Sequence, residues 1–364
     1  MVTEFRPNDV ALFEANPNYR DPALPAFGKV TFKGGGDAAS SGRAVLETGE
    51  YDFAWNLLLD PQTLAQMESA GKGKTIVSFG TMVERIELNQ TDPDSALGDE
   101  RATLAHPHPF LTDPAVRQAL SMAIDRNLLA EIGYGKAGKA SCDIVPVPVE
   151  YSPQDQTCLT QDIEGAKALL EGAGWVAGGD GVREKDGQRL EILYQTSVNA
   201  VRQDVQVLVK QWWDEIGVDT ELKTVDGSVF FGGDAGSPDT IQKLYADAQM
   251  YTNSFDNPDP EAFMGNLTCA RIPSPENQWQ GNNFARFCDA TYDEGVAKLR
   301  QTADPAERQA LVKELAMMPT GDSHILIPLV HRGLVSGHVN SLGGVIPNAW
   351  ESDLWNVQDW TRTE

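Results

Sequence analysis

Hydrophobic positions along the chain recur with two periods, one helical and one extended. After Asp113-Pro114, which supply a cap and a first-turn proline, Val116, Leu120, Ala123, Ile124 and Leu128 fall on one face and predict an amphipathic helix. Residues 163–172 and 304–317 read as helices too. Another stripe, Val205, Leu208, Val209, Trp212 and Ile216, predicts a helix with its tryptophan in the core. Residues 190–194, 218–225, 246–250 and the apolar run 325–330 read as strands, the last one buried. Gly181 to Arg189 has the polar turn residues of a hairpin.

Nearer the start, Val30-Thr31-Phe32 reads as a strand, Asp37 as the cap of a helix that Gly49 ends, and residues 51–55 as the next strand. This succession predicts a βαβ-like unit with Trp55 and Asn56 beyond its carboxyl edge, where α/β sheets bind ligands. His106-Pro107-His108-Pro109 prohibits helix and reads as an extended linker between two lobes. The expected organisation is α/β with discontinuous lobes: residues 1–105 plus 330–364 form lobe I, and 106–329 form lobe II. A length of 364 residues agrees with two cores rather than one.

Charge narrows the functional classes. With 29 Lys plus Arg against 53 Asp plus Glu, the net charge is −24, which is unfavourable for nucleic acid or anionic lipid. No stretch approaches the roughly 20 apolar residues of a membrane span, and the first residues lack a signal peptide's apolar region. Four cysteines fall into two local pairs, Cys142 with Cys158 and Cys269 with Cys288, neither at CxxC spacing. As disulfides each would close a short loop, stabilise by roughly 3 kcal/mol and point to an oxidising compartment. Four buried free thiols is the other reading.

Most catalytic and cofactor motifs are missing. Gly133-Tyr134-Gly135-Lys136-Ala137-Gly138 matches GxGxxG but follows a helix rather than a strand, so helix-end and turn glycines explain it better than a dinucleotide. The five histidines lack HExxH spacing, and neither a GxSxG elbow nor a Walker loop occurs. No cofactor, metal or catalytic residue is therefore expected. Residues 250–260 instead offer rings, hydroxyls, amides and carboxylates in an irregular proline-fixed segment, the mixture of a small-solute pocket. A self-satisfied Asx/Pro turn has the same composition. Residues 278–284 form a second such cluster around Trp279.

Several stretches together resemble the peptide, nickel and opine solute-binding proteins of ABC importers (family 5, cluster C). They are Asn16-Pro17-Asn18-Tyr19, Leu46 to Asp52, Val116 to Arg126, Ala173-Gly174-Trp175 and Ile327-Pro328-Leu329. The resemblance implies a two-lobed periplasmic-binding-protein-like fold of type II, with the lobes joined by hinge strands. It implies an incomplete first lobe, since family members carry more sequence before the Asn-Pro-Asn-Tyr stretch. Members that bind peptides hold the ligand's amino group with an aspartate in an Asp-x-x-Asp/Glu-Pro segment, matched here by Asp256 in Asp256-Asn257-Pro258-Asp259-Pro260. Residues 33–38 and 249–253 are similar to the branch that includes agrocinopine-type opine binders, and Leu354-Trp355-Asn356-Val357 matches a cleft-side segment of those relatives.

The resulting expectation is a binding module, not an enzyme, periplasmic or exposed at the cell surface. It would be monomeric and would deliver a peptide, opine or related solute to a membrane permease. Its cleft would be lined by Trp55, Asn56, Tyr251, Thr252, Asn253, Asp256, Trp279, Trp355 and Asn356. A carboxylate-dependent hydrolase in the same cleft, a ligand-sensing receptor and a nickel or metallophore carrier are the rival readings.

Overall fold

The computed structural model describes residues 1–7, 9–101 and 103–362, with Asp99 described by its backbone alone. Strands β1 (Val2–Arg6), β2 (Val10–Glu14) and β3 (Lys29–Lys33) lead into helix α1 (Ala38–Gly42), strand β4 (Phe53–Ala54), helix α2 (Pro61–Glu68) and the long strand β5 (Gly73–Leu88). Helices α3 (Pro114–Met122) and α4 (Arg126–Tyr134), strand β6 (Gly138–Ala140) and helix α5 (Ile163–Gly172) follow. Short strands β7 (Val176–Ala177), β8 (Arg183–Lys185) and β9 (Gln188–Arg189) precede β10 (Glu191–Ser197), α6 (Ala200–Glu215), β11 (Asp219–Val225), α7 (Gly227–Phe230) and β12 (Ala248–Asn253). The last elements are α8 (Glu261–Gly265), α9 (Ala290–Gln301), α10 (Pro305–Met317), β13 (Leu326–Val339), β14 (Leu342–Gly343) and β15 (Thr361–Arg362).

Two compact units result. Met1–Gly80, Tyr134–Ala137 and Gly333–Glu364 form the first, and Thr81–Gly133 with Gly138–Arg332 the second. The return crossing lies close to the expected 329/330. The outward one falls at 80/81, at Gly80 inside β5, instead of at 105/106, because the chain changes unit within one continuous strand and not at a proline-rich break. The His-Pro segment belongs wholly to the second unit. His108 is buried there, its Nε2 2.8 Å from Asp247 Oδ1, while its Nδ1 accepts from the amides of Phe110 and Leu111.

In the first unit β1, β2 and β3 form an antiparallel sheet, and β4 pairs with β13 antiparallel. The βαβ reading of residues 30–55 is therefore corrected: its two strands lie in different sheets. Alternation predicts a strand but not its partner. Asp37 does cap α1, accepting from Ser40 N at 2.7 Å, and Gly49 takes the left-handed conformation at φ 70°. Val45, Leu46, Leu57, Met67, Val339 and Trp360 pack in this unit's core.

The second unit carries a mixed sheet in the order β11, β10, β12, β5, β13. β10 runs parallel to both β11 and β12, with α6 as the crossover between β10 and β11, as parallel pairing requires. β12 is antiparallel to β5, from Ala248 opposite Leu88 to Asn253 opposite Val83. Asp113 caps α3 as expected, yet the helix stops at Met122, so Leu128 lies on α4 and is exposed. On α6 the buried stripe is Val201, Val205, Val209 and Trp213, not Trp212. Trp213 is fully buried and donates Nε1–H to Leu120 O at 3.0 Å. Ile144, Phe263, Tyr292, Val296, Val312 and Leu315 pack in a core around α8, α9 and α10.

Candidate functional site

The chemistry concentrates where β12 meets β5. Successive residues of paired strands face opposite sides of the sheet, and here both sides are charged and buried. On one side Arg202 of α6 donates Nε–H to Glu84 Oε1 at 2.8 Å and Nη1–H to Ser197 Oγ at 2.8 Å. Thr252, opposite Glu84, donates its hydroxyl to the other carboxylate oxygen. Burial alone would raise the Glu84 carboxyl, but the charges of Arg202 and Arg332 outweigh it and hold the group below its ordinary value.

On the other side Arg85 donates Nε–H and Nη2–H to Glu87 Oε1 at 3.1 and 2.6 Å, and the Tyr251 hydroxyl donates to the same oxygen at 2.7 Å. Gln249 supplies Nε2–H to Glu87 Oε2 at 3.2 Å. Burial and the adjacent Glu87 carboxylate raise the Tyr251 phenol well above its ordinary value. These buried groups engage one another and stiffen the strands, although Arg85 Nη1 is left without an acceptor among the described residues.

That stiffness matters for the loop that leaves β12. Phe255 is pinned at its backbone, its amide donating to Thr81 Oγ1 at 3.0 Å while the Thr81 hydroxyl donates to its carbonyl at 2.6 Å. Its ring stacks on Phe263 at 4.9 Å. Asp259 is held by Arg308, Nη2 to Oδ2 at 2.6 Å, which outweighs burial and lowers its carboxyl. Between these anchors Asp256 is exposed, and its carboxylate makes no hydrogen bond or ion pair among the described residues. The loop presents a free anion from a fixed frame.

The other residues singled out from the sequence fare differently. Thr252 and Asn253 are half-buried; Thr252 is spent on Glu84, and Asn253 donates Nδ2–H to the Tyr251 hydroxyl at 3.3 Å. Tyr251 is 4% exposed, a strand residue with its hydroxyl engaged and not part of a loop. Trp279 is also mostly buried, edge-on to Tyr245 at 5.7 Å. In the first unit Trp55 is exposed and Asn56 takes a left-handed φ of 52°. Trp355 is exposed, its Nε1–H donated to Ile346 O at 2.8 Å. Asn356 is corrected from lining to packing: buried, it donates to Gly344 O at 2.7 Å and accepts from Trp360 Nε1 at 3.0 Å. Both cysteine pairs are disulfides, Cys142–Cys158 and Cys269–Cys288, and both lie in the second unit.

Residues 1–273 match the family described as bacterial extracellular solute-binding proteins, family 5 Middle. The chain belongs to this family. Among its family 5 relatives, the di/tripeptide-binding protein 1 of Pseudomonas aeruginosa (strain UCBPP-PA14) is 28% identical over 202 residues, 55% of this chain and 34% of that protein. The glutathione-binding protein GsiB of Escherichia coli (strain K12) is 24% identical over 329 residues, 90% of this chain and 56% of that protein. The chain thus spans only part of these relatives' lengths.

Solved structures agree in fold. The oligopeptide-binding protein AppA from Bacillus subtilis, in complex with a nonapeptide, has a TM-score of 0.78 at 20% identity, covering 100% of this chain and 66% of that one. NikZ from Campylobacter jejuni, in complex with Ni(L-His), has a TM-score of 0.79 at 19% identity, covering 99% and 67%. These likenesses bear out the α/β binding-protein fold and, at such identities, assign nothing further. In this family 5 chain the sequence reading missed Glu84, Arg85, Glu87 and Arg202. The run Glu84-Arg85-Ile86-Glu87 breaks what is otherwise a strand-like segment, and charges inside a strand pattern were the available signal.

Proposed function

We propose that this chain captures a small peptide-like solute by its ammonium group and serves as the binding component of a bacterial ABC importer, releasing the solute unchanged to a membrane permease. The observation that carries this reading is the exposed Asp256 carboxylate, on a loop held between the Thr81–Phe255 and Asp259–Arg308 anchors, with no counter-charge bonded to it among the described residues. A carboxylate on an anchored backbone forms a charge-assisted bond to an ammonium with only its own side chain left to order. Family membership and the peptide-binding names of its relatives support the substrate class. No helix among the described residues is long and apolar enough to cross a membrane, and the net charge of −24 disfavours nucleic acid. We read the site of action as extracytoplasmic, in keeping with the two disulfides.

Calorimetry with di- and tripeptides, free or N-acetylated, tests this. Free peptides are expected to bind, and either acetylation or Asp256→Asn to weaken binding by about 10- to 100-fold. Equal binding of the acetylated forms would remove Asp256 from the role. Mass spectra showing cleaved peptide, abolished in the Asp256→Asn variant, would make the protein a hydrolase instead.

A further inference from the structure

A second cluster in unit two plays no part in that reading. Lys243 is 7% exposed, and its ammonium stands 5.2 Å from the Trp279 ring centroid and 5.6 Å from that of Tyr245. The Arg101 guanidinium lies 3.5 Å over the Tyr245 ring. Neither side chain forms an ion pair or hydrogen bond among the described residues, and Arg101 Nε is buried without an acceptor. Acidic residues outnumber basic ones 53 to 29 in this chain, so counter-charges were plentiful. A cation removed from water is normally paired, because a ring face returns less than desolvation takes.

One neighbour adds positive charge and a turn shapes the site. Arg286 donates to the carbonyls of Phe284, Gln242 and Lys243, and although burial pulls its guanidinium down to about 9, it is still a cation at neutral pH. Trp279 adopts a left-handed φ of 61° directly after Gln278 at 56°, a conformation costly for a bulky side chain. The turn closes at Gly281, where a Cβ would sit 2.1 Å from Arg271 O. The strained turn delivers the indole to the lysine.

We propose that Lys243, Arg101, Tyr245 and Trp279 form a subsite for an organic carboxylate. The ammonium and the guanidinium supply the missing charge complement, and the two rings supply apolar walls for the carbon body that carries it. An inorganic anion would gain nothing from those walls. The subsite stands on its own geometry; assigning it the acidic group of the imported solute rests on the solute-binding reading.

The test uses the full chain labelled with 5-fluorotryptophan, the Trp279 resonance being assigned with Trp279→Phe. Phenylacetate and inorganic phosphate are titrated at constant ionic strength against chloride. Phenylacetate should shift the Trp279 resonance saturably and bind at least about tenfold more tightly than phosphate, while Lys243→Met and Arg101→Met each weaken it by about tenfold or more. Lys243→Arg should retain binding, which separates loss of charge from loss of fold. No saturable shift, a response to phosphate alone, or a shift unchanged in both methionine variants overturns the subsite. Tripeptides ending in a free carboxylate or a carboxamide form a second arm. If no peptide binds but phenylacetate still does, the subsite stands and the solute-binding reading falls.

Discussion

Arg202 of α6 grips Glu84 of β5 at 2.8 Å with both side chains removed from solvent, so each is the other's principal counter-charge in place of water. Breaking such a pair strands a buried charge. Arg202→Met or Glu84→Gln is expected to lower unfolding free energy by about 3–5 kcal/mol, and the double change to an apolar pair by less than the sum. Urea denaturation of the three variants checks this.

The same carboxyl sets an acid limit. Its folded-state pKa is depressed below the ordinary 4.5, so its contribution is fully present above the unfolded value and drains away as pH falls through the folded one. Unfolding curves taken between about pH 7 and about pH 3 should show wild-type stability falling towards that of Glu84→Gln, with the gap closing only on the acid side.

Trp213 and Trp212 make a paired control. Trp213 is wholly buried with its indole N–H on Leu120 O, whereas Trp212 is only half-buried. Trp213→Ala should cost about 3–5 kcal/mol and Trp212→Ala under about 1 kcal/mol, read from the same denaturation experiment.

The disulfides close short loops, with sequence separations of 16 and 19. Each is expected to contribute about 3 kcal/mol through the unfolded chain. Thermal melts with and without a thiol reductant, and of Cys142→Ser/Cys158→Ser and Cys269→Ser/Cys288→Ser, should show lower midpoints in every reduced or substituted form.

Capped helices were the most legible part of the chain, because Asp113-Pro114 and Asp304 announce their helices through local chemistry alone. Strand existence was nearly as plain, while strand partnership was not: β3 and β4 look consecutive and belong to different sheets. Helical phase near a tryptophan pair also failed by one residue, since Trp212 and Trp213 differ in burial only through the packing of α6 on its neighbours. At the candidate site, Asp256 was singled out through the family resemblance alone. The network behind it could not be read, because Glu84 and Arg202 meet only after β5, β12 and α6 have assembled.

Glu84 and Arg85 are neighbours on one strand, yet they answer to partners on opposite sides of the sheet. Neither can drift by itself during descent, since a lone replacement leaves a stranded ion in the interior. Lineages should therefore inherit positions 84 with 202, and 85 with 87, as couples that are kept together or traded together for oily residues. The strand behind the Asp256 loop would then evolve in jumps, while the loop in front of it varies one residue at a time.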